Sequence, residues 1–267
     1  MADLETLRPS SLARVIACPG SRRLAAKMPP QPSSGYADEG TAAHTLAEMS
    51  LRRRNRAPFE WWGQEIEVNG KGWPVTSEMI QAVSTYVAAV NRDRRIHRGA
   101  KVELEKQIYL ADICNTGTVD CAVIHPDGSY LGVRDYKHGS GVYVSEVWNP
   151  QMLAYALAFW NSYFRGFSKP PETVTVEATV HQPRFPDVAP ARTHTMTAAD
   201  LLRWRDETLR PAIAASEAED APVRAGDHCM FCPAKTACMA YLTRPKKPYR
   251  HVPVQPGAAT LPPDFTF

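Results

Sequence analysis

The chain has 267 residues, 44% of them hydrophobic, with a formal net charge of +3. That is enough apolar material for one substantial core, and it excludes a mainly disordered or collagen-like chain. No apolar run is long enough to span a bilayer, and Met1-Ala-Asp-Leu-Glu5 lacks a secretory layout, so a cytoplasmic protein with no membrane contact is expected.

The first helical segment is expected from about Leu12 to Met28, broken by Cys18-Pro19-Gly20, before a Pro/Ser/Gly loop at 29–35. A second helix carries Asp38 to Leu51, with Thr41 or Asp38 as its cap and His44 and Glu48 one turn apart. A Trp/Gly/Pro-rich connection at 58–74 leads to a helix over about Ser77 to Ile96, whose stripe is Met79, Ile80, Val83, Tyr86, Val87 and Val90. Basic residues bunch on both helices. Arg52, Arg53, Arg54 and Arg56 follow one, and Arg92, Arg94, Arg95, His97 and Arg98 end the other; each cluster suits phosphate contacts or a solvated face.

From Lys101 the period changes from helical to alternating. Strands are expected over about Val102 to Leu110, Thr116 to Ile124 and Tyr130 to Lys137, with His125-Pro-Asp-Gly-Ser129 as the turn joining the last two. Asn149-Pro150 then caps an apolar helix from Gln151 to Phe164, Thr173 to Val180 is a fourth strand, and Thr197-Ala-Ala-Asp200 opens a helix toward Glu219, kinked at Pro211. Residues 1–241 therefore read as one domain. The Pro-rich stretch 242–267 reads as a flexible tail, ending in a Pro-Pro-Asp-Phe-Thr-Phe segment suited to docking on a partner.

Residues two apart in a strand face the same way, so Asp135 and Lys137 share a site while Arg134 and Tyr136 point to the other face. If the preceding strand is the hairpin neighbour, Asp120 of Gly117-Thr-Val-Asp120 lies beside Asp135, and two close carboxylates call for a cation. Mg2+ or Mn2+ suits such oxygen donors, with Lys137 offsetting charge on a phosphorus centre. Gln151 and Tyr155, four apart, lean from one helix face toward the same place. His44 alone reads as a surface or core histidine, though a neutral imidazole can join the metal; Glu48 is the alternative donor.

Cysteine provides the last motif. Cys18 stands alone early, and Cys229, Cys232 and Cys238 form a late C-x2-C-x5-C run. In a reducing compartment six cysteines suit metal ligation or packing better than disulfides, and the spacing fits a [4Fe-4S] cluster and Zn2+ alike, with His228 an optional zinc ligand. The clasp would join the two ends of the chain. Cys114 and Cys121 stand outside it, Cys121 as a core residue.

In this order, His44, Gly117-x-x-Asp120, Asp135-x-Lys137, Gln151-x3-Tyr155 and the cysteines, the chain resembles the PD-(D/E)XK nuclease superfamily. The likeness is to its RecB-like iron–sulfur branch, which includes the AddB nuclease domain and the CRISPR-adaptation exonucleases; the stretch from Asp135 to Leu157 also looks like a phage and prophage family of that branch. The resemblance spans Cys18 to Cys238; one departure is Asp, where Glu is frequent, at Asp135.

It implies an α/β fold of the restriction-endonuclease type, a mixed central sheet flanked by helices, with the chain's two ends joined by a four-cysteine metal cluster. It implies His44, Asp120 and Asp135 as ligands of Mg2+ or Mn2+, Lys137 as the catalytic lysine, and Gln151 and Tyr155 as DNA-positioning residues. It selects a [4Fe-4S] cluster on Cys18, Cys229, Cys232 and Cys238 over zinc. The implied activity is exonucleolytic DNA cleavage in phage replication or recombination, on single strands or free ends, alongside a phage helicase, annealing or single-strand-binding partner. Two other classes fit the same residues: an inactive DNA-binding or assembly module of this fold, and a zinc-stabilised nuclease acting on RNA or tRNA.

Overall fold

The computed structural model describes residues 4–52, 56–164, 166 and 168–245. Arg53, Arg54 and the C-terminal Pro-Pro-Asp-Phe-Thr-Phe segment lie outside them.

Two short helices, α1 (Leu12–Ala17) and α2 (Ser21–Ala26), flank Cys18-Pro19-Gly20 as the sequence suggests. The long α3 (Gly35–Arg52) starts earlier than expected, which places Asp38 in its first turn and Thr41 inside it rather than at the cap. A hairpin, β1 (Glu65–Val68) and β2 (Lys71–Pro74), follows where only a connection was expected. Its turn is Asn69-Gly70, both with positive φ (52° and 76°), the combination that two-residue hairpin turns require. Helix α4 (Ser77–Ile96) is capped by Thr76, whose hydroxyl accepts from the Met79 amide.

The main sheet has five strands in the order β3 (Lys101–Leu110), β4 (Asn115–Ile124), β5 (Tyr130–Tyr136), β6 (Thr175–His181) and β7 (Ala191–Thr197). All neighbours are antiparallel except β5 and β6, which run parallel because α5 (Pro150–Tyr163) carries the chain back between them. Every residue of β5 is buried, as suits a central strand covered on both faces. The expected mixed α/β architecture is thus present, with β7 as an unforeseen edge strand.

Alternation along β5 sorts the two sides of the sheet. Leu131 and Val133 pack with α5, α1 and α6 (Ala198–Trp204), while Tyr130 and Tyr136 pack with α3 and α4. On the second side Arg134 is almost fully buried, held by Asp93 at 2.8 Å, Glu177 at 3.1 Å and the Tyr130 hydroxyl at 2.6 Å. After α6 comes one π-helical turn, Arg205–Leu209, and then α7 (Arg210–Glu217) with Pro211 in its first turn. The wide turn ends just before Pro211, which has no amide hydrogen to donate back into the helix, so the expected interruption at Pro211 takes the form of a π-helical turn.

The C-terminal segment then returns to the N-terminus. The Gly20 amide donates to Pro222 O at 2.9 Å and the Arg23 guanidinium to Ala218 O at 3.0 Å. Among the described residues no helix is long and apolar enough to cross a membrane.

Candidate active site

Asp120 and Asp135 meet because of strand register. Cys121 pairs with Arg134, so the next step along the ladder sets the two carboxylates side by side, and the Tyr136 amide donates to Asp120 Oδ2 at 2.7 Å. Asp135 points to the α5 side and Arg134 to the other, as alternation requires. Lys137 follows Asp135 on the same side, its Nζ donating to Asp135 Oδ1 at 3.1 Å.

Helix α5 brings Gln151. Asn149 Oδ1 caps the helix by accepting from the Gln151 amide at 3.1 Å, which fixes the first turn where Gln151 stands. Gln151 Oε1 accepts from Lys137 at 3.4 Å and its Nε2 donates to Asp135 Oδ1 at 3.3 Å, so one amide orients both members of the pair. Tyr155 hydrogen-bonds Gln151, and burial raises its hydroxyl pKa to about 12. Gly117 has a reason to be glycine here: a Cβ would sit 2.7 Å from Tyr155 Cε1.

From the other side of the sheet α3 supplies His44, whose Nδ1 lies 3.5 Å from Asp120 Oδ1. Its alternative, Glu48, is engaged elsewhere, with the Arg52 guanidinium 2.7 Å away. A residue that sequence reasoning missed completes the set. Glu105, in the middle of β3, lies opposite Asp120, and ligand atoms of His44, Glu105 and Asp120 all fall within 4.8 Å of one another. Its backbone is left-handed, with φ of 44°, an uncommon state for a non-glycine residue that clusters at functional sites.

The electrostatics describe a centre short of positive charge. Burial and Asp120 push the Glu105 carboxyl up to about 7. Burial opposes charge on His44, but Asp120 and behind it Asp135 outweigh that and raise the imidazole to about 9. Asp135 is pushed up by burial and by Asp120, whereas Asp120, although buried, is held below the ordinary range by His44 and the Tyr136 amide. Asp135 Oδ2 is a buried acceptor with no directed hydrogen bond, although Lys137 Nζ is 2.8 Å away. Crowded carboxylates and one imidazole form a donor set that fits a hard divalent cation.

The cysteines occupy a second locus. Cys18, Cys229, Cys232 and Cys238 are all buried and all free thiols, in contrast to the exposed Cys114. Cys18 Sγ accepts from the Arg224 amide at 3.2 Å and Cys229 Sγ from the Gly226 amide at 3.4 Å. Burial would raise the Cys18 thiol, yet hydrogen bonds from His228 and the Arg224 amide prevail and lower its pKa. Cys18 thus lies against Arg224 and His228 of the segment that carries the late cysteines, whereas burial pushes the Cys232 thiol up. Cys121 is fully buried in the core as expected.

The exposed basic residues of the first cluster are partly neutralised, Arg52 by Glu48 and Arg56 by Glu60. In the second, Arg92, Arg95 and Arg98 are exposed, while His97 is drawn inward, stacked on Tyr130 with Nδ1 2.9 Å from His125 Nε2.

Among solved structures, the chain is similar to a candidate exonuclease from Eubacterium rectale, at 12% identity and a TM-score of 0.43. The match covers 91% of this chain and 88% of that one, and so loose a likeness fixes no residue's role. The family described as a protein of unknown function, DUF2800, matches residues 5–251, and the chain belongs to that family.

Proposed function

We propose that this chain is a divalent-metal-dependent nuclease of the restriction-endonuclease type, cleaving DNA from free or single-stranded ends in phage replication or recombination. The observation that carries the reading is the grouping of His44, Glu105 and Asp120 within 4.8 Å, with the Asp135–Lys137 pair beside Asp120, drawn from four separate elements and the loop after β5. Three carboxylates and an imidazole crowded beside one ammonium, with perturbed pKa values, mark a functional site more often than a structural ion pair.

His44, Glu105, Asp120 and Asp135 are the ligands in this reading. Mg2+ or Mn2+ held there supplies Lewis acidity toward a phosphoryl oxygen and acidifies a water. Lys137 provides a fixed ammonium beside the reacting phosphate, where it offsets charge as it develops. Its position is set by Asp135 and by the Gln151 carbonyl, and Tyr155 in turn steadies Gln151. Cys18, Cys229, Cys232 and Cys238 hold a [4Fe-4S] cluster that ties the chain's ends; visible absorbance and metal analysis separate it from zinc.

The test is hydrolysis of end-labelled DNA with Mn2+, Mg2+ or chelator. Asp135→Ala and Lys137→Ala are expected to lower the rate by at least about 100-fold, the scale of losing one preorganised electrostatic group. Metal-independent cleavage, or full activity in Asp135→Ala, would remove the assignment. DNA binding with no cleavage under any metal would point instead to an inactive module of the same fold.

A further inference from the structure

Beside the acid–lysine centre the surface opens into a groove of about 550 Å3. Its walls include Lys137 and Gln151 of that centre, Arg8 and Arg14 from the N-terminal segment, and His228 and Phe231 of the cysteine segment. A single groove that borders both the reactive centre and a separate aromatic and cationic surface suits a chain-like ligand. Its volume lies within the range of pockets that enclose small extended ligands.

Phe231 is the unusual member. Its ring is 74% exposed although it stands next to Cys232 and two residues after Cys229, both buried. The pedestal is stiff: the Cys229 amide donates to Gly226 O at 3.0 Å and the Cys232 amide to Cys229 O at 3.1 Å. A large apolar ring exposed to water on the wall of a groove calls for a partner with a flat apolar face. Arg14 is matched by Glu5 and hydrogen-bonded to Ser21 at 2.9 Å, so it belongs to the groove's wall. Arg8 is exposed and has no ion-pair partner among the described residues. The trough therefore offers one uncommitted cation, one bare aromatic face and a phosphate-active centre.

We infer that this groove carries a single strand of DNA into the active site, with Phe231 stacking on an unpaired base and Arg8 contacting the backbone. The inference rests on the nuclease reading and adds the residues that grip the strand outside the acid–lysine centre. A duplex keeps its base faces stacked inside; only a splayed single strand can present one to Phe231. Stacking does not depend on which base is present, so the groove grips without reading sequence.

The experiment measures binding of fluorescent oligo-dT and of a matched duplex by anisotropy, with Ca2+ replacing Mn2+ so that nothing is cleaved. Full-length protein is compared with Phe231→Ala, Phe231→Leu, Phe231→Trp and Arg8→Ala, using unchanged melting and visible absorbance as fold controls. Phe231→Ala and Phe231→Leu are expected to weaken single-strand binding by about 5- to 100-fold, the measured range for one base–aromatic stack, while Phe231→Trp retains it. Arg8→Ala should lessen the salt dependence by the equivalent of about one phosphate.

Single-strand affinity within about twofold of wild type in Phe231→Ala, well below the effect of one stack, overturns the inference. So does equal sensitivity of the duplex. The two readings fail separately: Mn2+-dependent cleavage with Phe231-independent binding sinks the groove alone, and Phe231-dependent binding without cleavage sinks the nuclease alone.

Discussion

Glu105 shows how one residue can be costly for the fold and useful to the site. A left-handed φ of 44° on a side chain with a Cβ costs about 1–2 kcal/mol, and burial beside Asp120 adds carboxylate repulsion. Replacing it with glycine relieves both. Glu105→Gly is therefore expected to leave urea stability unchanged or raise it by up to about 1 kcal/mol, while Mn2+ affinity in calorimetry falls about 10-fold or more. Lost stability with unaltered Mn2+ binding would show that Glu105 serves the strand alone. The sequence could not reveal this residue. In Lys101-Val-Glu-Leu-Glu-Lys-Gln107 it is one of two glutamates in an alternating strand, and nothing local marks a positive φ on glutamate. Asp120, Asp135, Lys137 and Gln151 were legible because their types and spacing carry chemistry irrespective of backbone detail. The choice between His44 and Glu48 was not, since it turns on which side of α3 faces the sheet and on Arg52 engaging Glu48.

At the scale of elements, the β3–β4–β5 meander and α5 were readable from periodicity and from the Asn149-Pro150 cap, whereas β1, β2 and β7 were not. The Asn69-Gly70 turn signal was present, but its strands have four residues each and contain Trp73 and Pro74, too short for alternation to register. Strand β7, Ala-Arg-Thr-His-Thr-Met-Thr, is a polar edge whose strand character comes from pairing with β6. The last residue of β6 yields a prediction about pH. His181 is buried, its Nε2 has no hydrogen-bond partner among the described residues, and burial with Arg134 lowers its pKa from 6.5 to about 4. Between those values the unfolded chain binds the proton and the folded one does not. Stability from this group is therefore complete above pH 6.5 and is lost as pH falls toward 4, by up to about 3 kcal/mol. His181→Phe is expected to flatten that part of the urea-stability profile relative to wild type. Parallel acid limbs in the two proteins would mean that His181 is solvated in solution.

At the scale of the whole molecule, what matters is that residues 216–232 come back against residues 14–23. Arg22 approaches Glu217 at 3.6 Å, Arg23 reaches the Ala218 carbonyl, and the Arg224 amide donates to Cys18 Sγ. Gly20 sits at the closest point of that seam: a Cβ there would lie 2.5 Å from Ala221 O, 2.6 Å from Val223 Cγ2 and 3.0 Å from Pro222 O. Two of the three are backbone atoms and cannot swing aside, so Gly20→Ala must part the seam. The expected cost is about 1–3 kcal/mol, the usual penalty of overpacking, read as an earlier urea midpoint. If the four cysteines hold one iron–sulfur group, the same methyl should also lower iron per chain in anaerobic preparations, although no thiol has been altered. Gly40 in α3 is the matched control, since its added Cβ meets nothing within 4 Å; Gly40→Ala should stabilise by about 0.5–1 kcal/mol through helix propensity and leave the metal content alone. Full iron and unchanged stability in Gly20→Ala would mean that the two ends are held by something other than this contact. Loss of stability with iron retained would separate the seam from the cysteines and make the clasp a matter of packing rather than ligation.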